Sequence, residues 1–253
     1  MNGALTLPVE KLREEPYVSL LCYPRVSNVE LKNRLGELKK LGVKAVKFYG
    51  NKQVFHVPIL GKGCVGIVVI AYVDGEKAAL KIRRVDADRS GLQHEAEMLV
   101  KANSVHVGPK LLGISKNFLL MQFIDGDLLP DWLEKHRGKG LIRKVLSDIL
   151  KQCWRLDEIG LDHGELSHAP KHIIVSKKGK PFIVDFETAS VNRRPSNVTS
   201  VCQFLFISSV VARMVVEKVG RTDAETIVEG LRLYKSNRTH ENFEKILHCL
   251  LHL

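Results

Sequence analysis

Apolar positions along this chain follow two periods, and the change from one to the other divides it. Between residues 54 and 123 they come in short runs rich in Val, Ile, Leu and Ala, at 54–60, 67–73, 77–82, 110–114 and 118–123. Runs of that length predict strands, and Asp74-Gly75 between the second and third is a strong two-residue hairpin signal. A helical pattern at 93–100 sits among them, so the expectation is a five-strand antiparallel sheet with one helix. After Gly126 the period lengthens: Ile142, Val145, Leu146, Ile149, Leu150, Cys153 and Leu156 fall on one stripe of a helix that stops at Gly160. Two short strands, 172–176 and 181–186, follow around Lys178-Gly179, and the rest reads as mostly helical. Ahead of the first strand, 27–41 predicts a helix with Ser27 as its cap, Lys39 and Lys40 in its last turn and Gly42 just beyond.

The pattern therefore predicts an α+β chain of two lobes. A basic extension covers 1–52, a small antiparallel-sheet N-lobe with one helix covers 53–125, and a mostly helical C-lobe covers 126–253. Residues 195–212 carry no charge, but Asn197, Thr199, Ser200, Gln203, Ser208 and Ser209 interrupt the apolar run and Arg213 ends it. A buried helix is expected there, not a membrane span. With 45% hydrophobic and 26% charged residues the chain is expected to fold, and its five scattered cysteines form neither a metal-ligand pattern nor a disulfide framework. A charged N-terminus without an apolar core and a reducing cytoplasm fit together. The net charge of +11 points to a polyanionic partner.

Gly61-Lys62-Gly63-Cys64-Val65-Gly66-Ile67-Val68 fits G-x-G-x-x-G-x-V, in which missing Cβ atoms let backbone N–H groups approach phosphate oxygens. A strand follows the last glycine, so this is a glycine hairpin over phosphates and not a dinucleotide turn. Lys81 ends the apolar run Ala78-Ala79-Leu80 on the next strand, where an ammonium needs a counter-charge. Glu95 on the helix supplies one. Glu97 is the alternative, because two positions on it faces about 200° round the helix. Leu119-Leu120-Met121 lead through Gln122 and Phe123 into an extended linker whose backbone can bond an adenine edge. Asp162-His163-Gly164-Glu165 and His172 lie between the striped helix and a strand. Asp185 then closes the run Phe182-Ile183-Val184, where a carboxylate makes a poor core residue and a good ligand for the Mg²⁺ that bridges phosphates.

On these motifs, over roughly 54–189, the chain resembles the RIO-type atypical kinases and the kinase subunit of the KEOPS complex, whose loops have the form H-G-D-L-x-x-x-N. It is more similar still to a family of small archaeal kinases with H-G-E-L in the loop and D-F-E in the metal motif. That family includes the archaeal RNA kinase that phosphorylates the 2′-hydroxyl of a uridine at position 47 of tRNA. The resemblance implies a bilobal protein-kinase-like fold that uses ATP and Mg²⁺. Gly61, Lys62, Gly63 and Gly66 would lie over the phosphates, Lys81 would pair with Glu95, and Gln122 and Phe123 would face the adenine. Asp185 would hold the metal, with His172 in the place of the second ligand. Glu165 stands where the catalytic Asp is expected, and Asp162 is the alternative base.

Two departures bear on the acceptor. Gly164 replaces the Arg of H-R-D, the cation that reads a phosphorylated activation loop, and no A-P-E follows Asp185. Both weigh against a peptide acceptor. Basic residues recur at Lys32, Arg34, Lys39, Lys40, Lys44, Lys47 and Lys52, at Lys135, Arg137, Lys139, Arg143 and Lys144, and at Arg193 and Arg194. Aromatics are only 6% of the chain, so folded RNA read by phosphate and shape is the expected partner, with tRNA first and DNA not expected. The alternatives are a RIO-like serine/threonine protein kinase or ATPase switch, and an inactive nucleotide-binding module, the latter suggested by Glu165 and His172.

Overall fold

The computed structural model describes residues 5–88, 90–220 and 223–251. They form two compact units, Met1–Val100 with Lys110–Phe123, and Lys101–Pro109 with Ile124–Leu253.

The first unit is built on a seven-stranded sheet. Its elements are β1 (Leu5–Pro8), α1 (Tyr17–Leu21), α2 (Asn28–Lys40), β2 (Val43–Phe48), β3 (Lys52–Val54), β4 (Val57–Ile59), β5 (Gly61–Lys62), β6 (Gly66–Val73), β7 (Glu76–Arg83), α3 (Gln93–Ser104), β8 (Leu111–Ile114) and β9 (Phe118–Gln122). The strand order is β1-β2-β6-β7-β9-β8, with β5 also paired to β6. Asp74 and Gly75 take positive φ at the β6–β7 turn, and the ladder runs in register from Val73↔Glu76 to Gly66↔Arg83. That confirms the hairpin.

Two expectations change. The segment expected as an extension is built into the sheet: β2 pairs β6 and β1 pairs β2, and Val43, Val46 and Phe48 bury with Leu35 and Leu38 of α2 in one core. The run at 54–60 is a hairpin, not a strand, because Phe55 and His56 turn with φ of 49° and 62° and fold β3 onto β4. The helix expected at 27–41 forms as α2, and the Ser27 hydroxyl accepts the Glu30 N–H as its cap.

The second unit is mostly helical. It contains β10 (Gly126–Leu128), α4 (Leu129–Lys135), α5 (Lys139–Glu158), β11 (Ile173–Ser176), β12 (Pro181–Ile183), α6 (Asn197–Cys202), α7 (Val210–Val219), α8 (Ala224–Ser236) and α9 (His240–Leu251). The apolar stripe of α5 is fully buried, as its period predicts. β11 pairs β12, as expected, and also β10, which was expected as linker. The strand expected over 181–186 ends at Ile183, because Asp185 has φ of 70°. The uncharged stretch at 195–212 is not one helix. It breaks after a π-turn at Gln203–Ile207, and Ser209 caps a new helix, α7, through the Ala212 N–H. No single described helix is long and apolar enough to cross a membrane.

Candidate active site

In the first unit the glycine hairpin closes through Gly63 N–H to the Gly66 carbonyl at 2.8 Å. A Cβ at Gly66 would sit 2.9 Å from the Ile82 carbonyl and 3.0 Å from Cγ of Lys81, so the third glycine leaves room for the lysine stem. Arg84 holds the hairpin from below: its N–H donates to the Val65 carbonyl and its guanidinium to Gly63 at 3.4 Å. The same guanidinium lies 5.1 Å from the Tyr23 ring and forks onto Asp86. Lys62 is turned toward this cluster. Its Nζ donates to the Tyr23 hydroxyl at 2.7 Å and sits 4.4 Å from the ring centroid. Tyr23 and Arg84 escaped the sequence reading because Tyr23 lies 38 residues before Gly61, the first glycine of the hairpin, and Arg84 stands in no motif; the fold brings both to the hairpin.

Lys81 is 5% exposed, and its Nζ meets both carboxylate oxygens of Glu95, itself 3% exposed, at 2.9 and 2.8 Å. Glu97 is exposed and accepts from Gln93 instead. The helix period thus separates the two glutamates as expected, and the buried charge has its partner. At the end of β9 the Gln122 N–H donates to the Lys110 carbonyl at 2.8 Å, so this N–H is taken. Phe123, half-buried, is the first residue past the strand.

In the second unit His163, Glu165, His172 and Asp185 converge. His172 Nε2 lies 3.1 Å from Glu165 Oε2 and 3.9 Å from Asp185 Oδ2. Its Nδ1 is buried without a hydrogen-bond partner, and Nε2 is the nitrogen that faces the carboxylates. His172 thus presents Nε2 to both Glu165 and Asp185, in the place expected of the second metal ligand. The side chains of Glu165 and Asp185 remain 42% and 41% exposed. Asp185 is a hard oxygen donor of the kind Mg²⁺ takes, and a carboxylate oxygen of Glu187 lies within 4.8 Å of it, so the pair fits such a cation.

Asp162 is committed elsewhere. One oxygen accepts from Arg193 Nε at 2.9 Å and the other from the Ser196 N–H, and its backbone pairs with Ser190 in both directions. This leaves Glu165, not Asp162, as the available carboxylate of the loop. Arg193 also donates to the Thr188 carbonyl at 2.7 Å, and the Thr188 hydroxyl donates to the His163 carbonyl. Gly164 packs against this tie with φ of 91°; a Cβ would lie 2.6 Å from Arg193 Nη2.

Below the loop, the Asn197 side chain accepts the His163 N–H and donates to Asp157, whose two oxygens also take the N–H groups of Asn197 and Val198 at the start of α6. Burial pushes the Asp157 carboxyl up, and those donors oppose the shift. His163 Nε2 bonds the Val184 carbonyl, and its ring meets Phe186 edge-on at 5.1 Å, so it supports both the loop and Asp185. Burial, with His172 beside it, lowers its pKa to about 4. Asp157 and Asn197 carried no motif; buried polar residues of helix ends look like surface residues in a sequence.

The family described as RIO domain matches residues 67–200, which is 134 of the 253 residues and more than half of the chain. An uncharacterized protein of Methanocaldococcus jannaschii is 32% identical over 117 residues, covering 46% of this chain and 98% of that protein.

Proposed function

The chain belongs to the RIO domain family, and we propose that it transfers the γ-phosphoryl group of ATP to a hydroxyl of RNA, with a tRNA 2′-hydroxyl as the acceptor. The RIO domain supports an atypical kinase or ATPase that uses ATP and a divalent cation. The arrangement of Glu165 carries the reading: an accessible carboxylate, fixed by the His172 imidazole, beside the accessible Asp185. Such a pair orients a hydroxyl and accepts its proton while phosphate charge is neutralised next to it.

The glycine hairpin would cover the phosphates and Lys81, held by Glu95, would neutralise them. A divalent cation on Asp185 would supply further charge neutralisation. Glu165 would orient the attacking hydroxyl, take its proton and stay in position through His172. Catalysis on this plan is positioning plus electrostatics. The glycine at 164 and the missing A-P-E favour an acceptor other than a peptide, and the charge of +11 favours a polyanion.

The test is incubation with labelled ATP and Mg²⁺ in the presence of tRNA or of a generic protein, beside Asp185→Ala and Glu165→Ala. Label is expected on tRNA, with both variants slowed about 100-fold or more. Label on protein alone would sink the RNA acceptor in favour of a RIO-like protein kinase. ATP binding without transfer to either would leave an inert nucleotide-binding module, and full activity in both variants would mean that the site lies elsewhere.

A further inference from the structure

Away from the catalytic loop, the second unit carries a groove of about 620 Å³ formed by α5, the β11–β12 turn and the start of α9. Lys144, Lys151 and Arg155 line it from α5. With Asp148 they recur at intervals of four, three and four, which places them on one stripe of the helix, opposite the buried face. The stripe from Lys144 to Arg155 is about 16 Å long at 1.5 Å per residue. Lys178 and Lys180 face it from the turn, where Gly179 bends the chain with φ of 74°.

Among the described residues none of these five cations makes an ion pair; the Arg155 Nε donates to the Lys151 carbonyl of its own helix. Two carboxylates share the groove, Asp148 and Glu244, and Glu244 lies 3.3 Å from His240. Five positive against two negative charges leaves a net +3 with the histidines neutral. The wall is not bare charge. Trp154 is half-buried, stacked on Phe243 at 5.3 Å and met edge-on by His240 at 4.9 Å, so a flat aromatic surface is held among the cations.

We propose that this groove binds the phosphate backbone of an RNA segment, with Trp154 against a base or sugar. Unpaired ammonium groups on both walls of a groove attract a charged polymer, and a rigid aromatic beside them takes the π-face that an acidic peptide lacks. None of the residues belongs to the phosphotransfer machinery. The groove would therefore hold a part of the RNA remote from the reacting hydroxyl. Binding energy from that remote part can then be used to position the acceptor. This deepens the RNA-acceptor reading and rests on it.

The experiment titrates the full chain with a tRNA transcript at several salt concentrations, following both a label on the RNA and tryptophan fluorescence. The protein has two tryptophans, and Trp132 is buried, so a fluorescence change that disappears in Trp154→Phe reports the groove. The expectation is a steep negative dependence of log affinity on log salt. In Lys151→Glu/Lys178→Glu, with an unchanged thermal midpoint, affinity should fall 10- to 100-fold and the slope should flatten by about two, while Lys151→Arg/Lys178→Arg keeps both.

An unchanged affinity and slope in the charge-reversed variant would overturn the proposal. So would tRNA binding that leaves Trp154 fluorescence unmoved, or a polyglutamate peptide that competes as well as RNA, which would make the partner an acidic protein. The acceptor reading fails separately: groove-dependent binding with no phosphate transfer to RNA removes that reading and keeps the groove, whereas transfer that is unimpaired in the reversed variant removes the groove.

Discussion

His163 shows how much one side chain can carry without touching a substrate. It is fully buried, its ring rests on Phe186, and its Nε2 holds the Val184 carbonyl one residue before Asp185. An imidazole in that place stays neutral, and its pKa falls from the usual 6.5 to about 4. Between those two values the unfolded chain binds a proton that the folded chain refuses, so stability rises with pH across the window and is lost as pH falls from about 6.5 toward 4. The loss from this group is on the order of 3 kcal/mol. Urea unfolding of the protein and of His163→Asn, measured at pH 4.5 and 7, should show a difference that is larger in the protein than in the variant. An equal difference in both would move the cause to the carboxylates.

At the scale of elements, α2 is joined to the sheet by a buried polar network. Arg34 is fully buried and donates to the carbonyls of Leu21 and Arg83, to Glu30 and to Asn117, while Glu37 accepts from the Ser115 hydroxyl and from the backbone and side-chain nitrogens of Asn117. Each nitrogen of the Arg34 guanidinium has an acceptor, which is the condition under which buried charge is tolerated. Arg34→Ala leaves Glu30 and two carbonyls without their cation and should cost about 3–5 kcal/mol, read from the urea midpoint at unchanged m-value. From the sequence Arg34 looked like one more member of a basic surface cluster. The β6–β7 hairpin, Lys81 with Glu95 and the α5 stripe were legible because each rests on a local rule: a turn dipeptide, an ammonium in an apolar strand, a period of 3.6. β1 and β2 were not legible, since Val43-Lys44-Ala45-Val46-Lys47-Phe48 mixes strand alternation with lysines that read equally well as surface charge. Nor did Phe55-His56 or Asp185 announce a positive φ: Phe seldom takes one, and His and Asp tolerate it without requiring it as a glycine in a turn does.

For the molecule as a whole, a net charge of +11 says little until each cation is placed. Arg34 supports a core, Arg193 ties the loop after the metal motif to Asp162, and Arg194 donates to the Lys235 carbonyl of α8. The groove assembles its cations from α5 and a hairpin turn, more than twenty residues apart in sequence, which is why no run of lysines advertised it. The tie made by Arg193 has a further consequence. An arginine and an aspartate encoded in the chain hold this loop, and a Cβ at Gly164 would crowd the arginine. Phosphatase treatment should leave the turnover of the protein unchanged, and a drop would mean that an added phosphate holds the loop after all. With turnover unchanged by that treatment, output would follow how much substrate the protein meets and how long it exists.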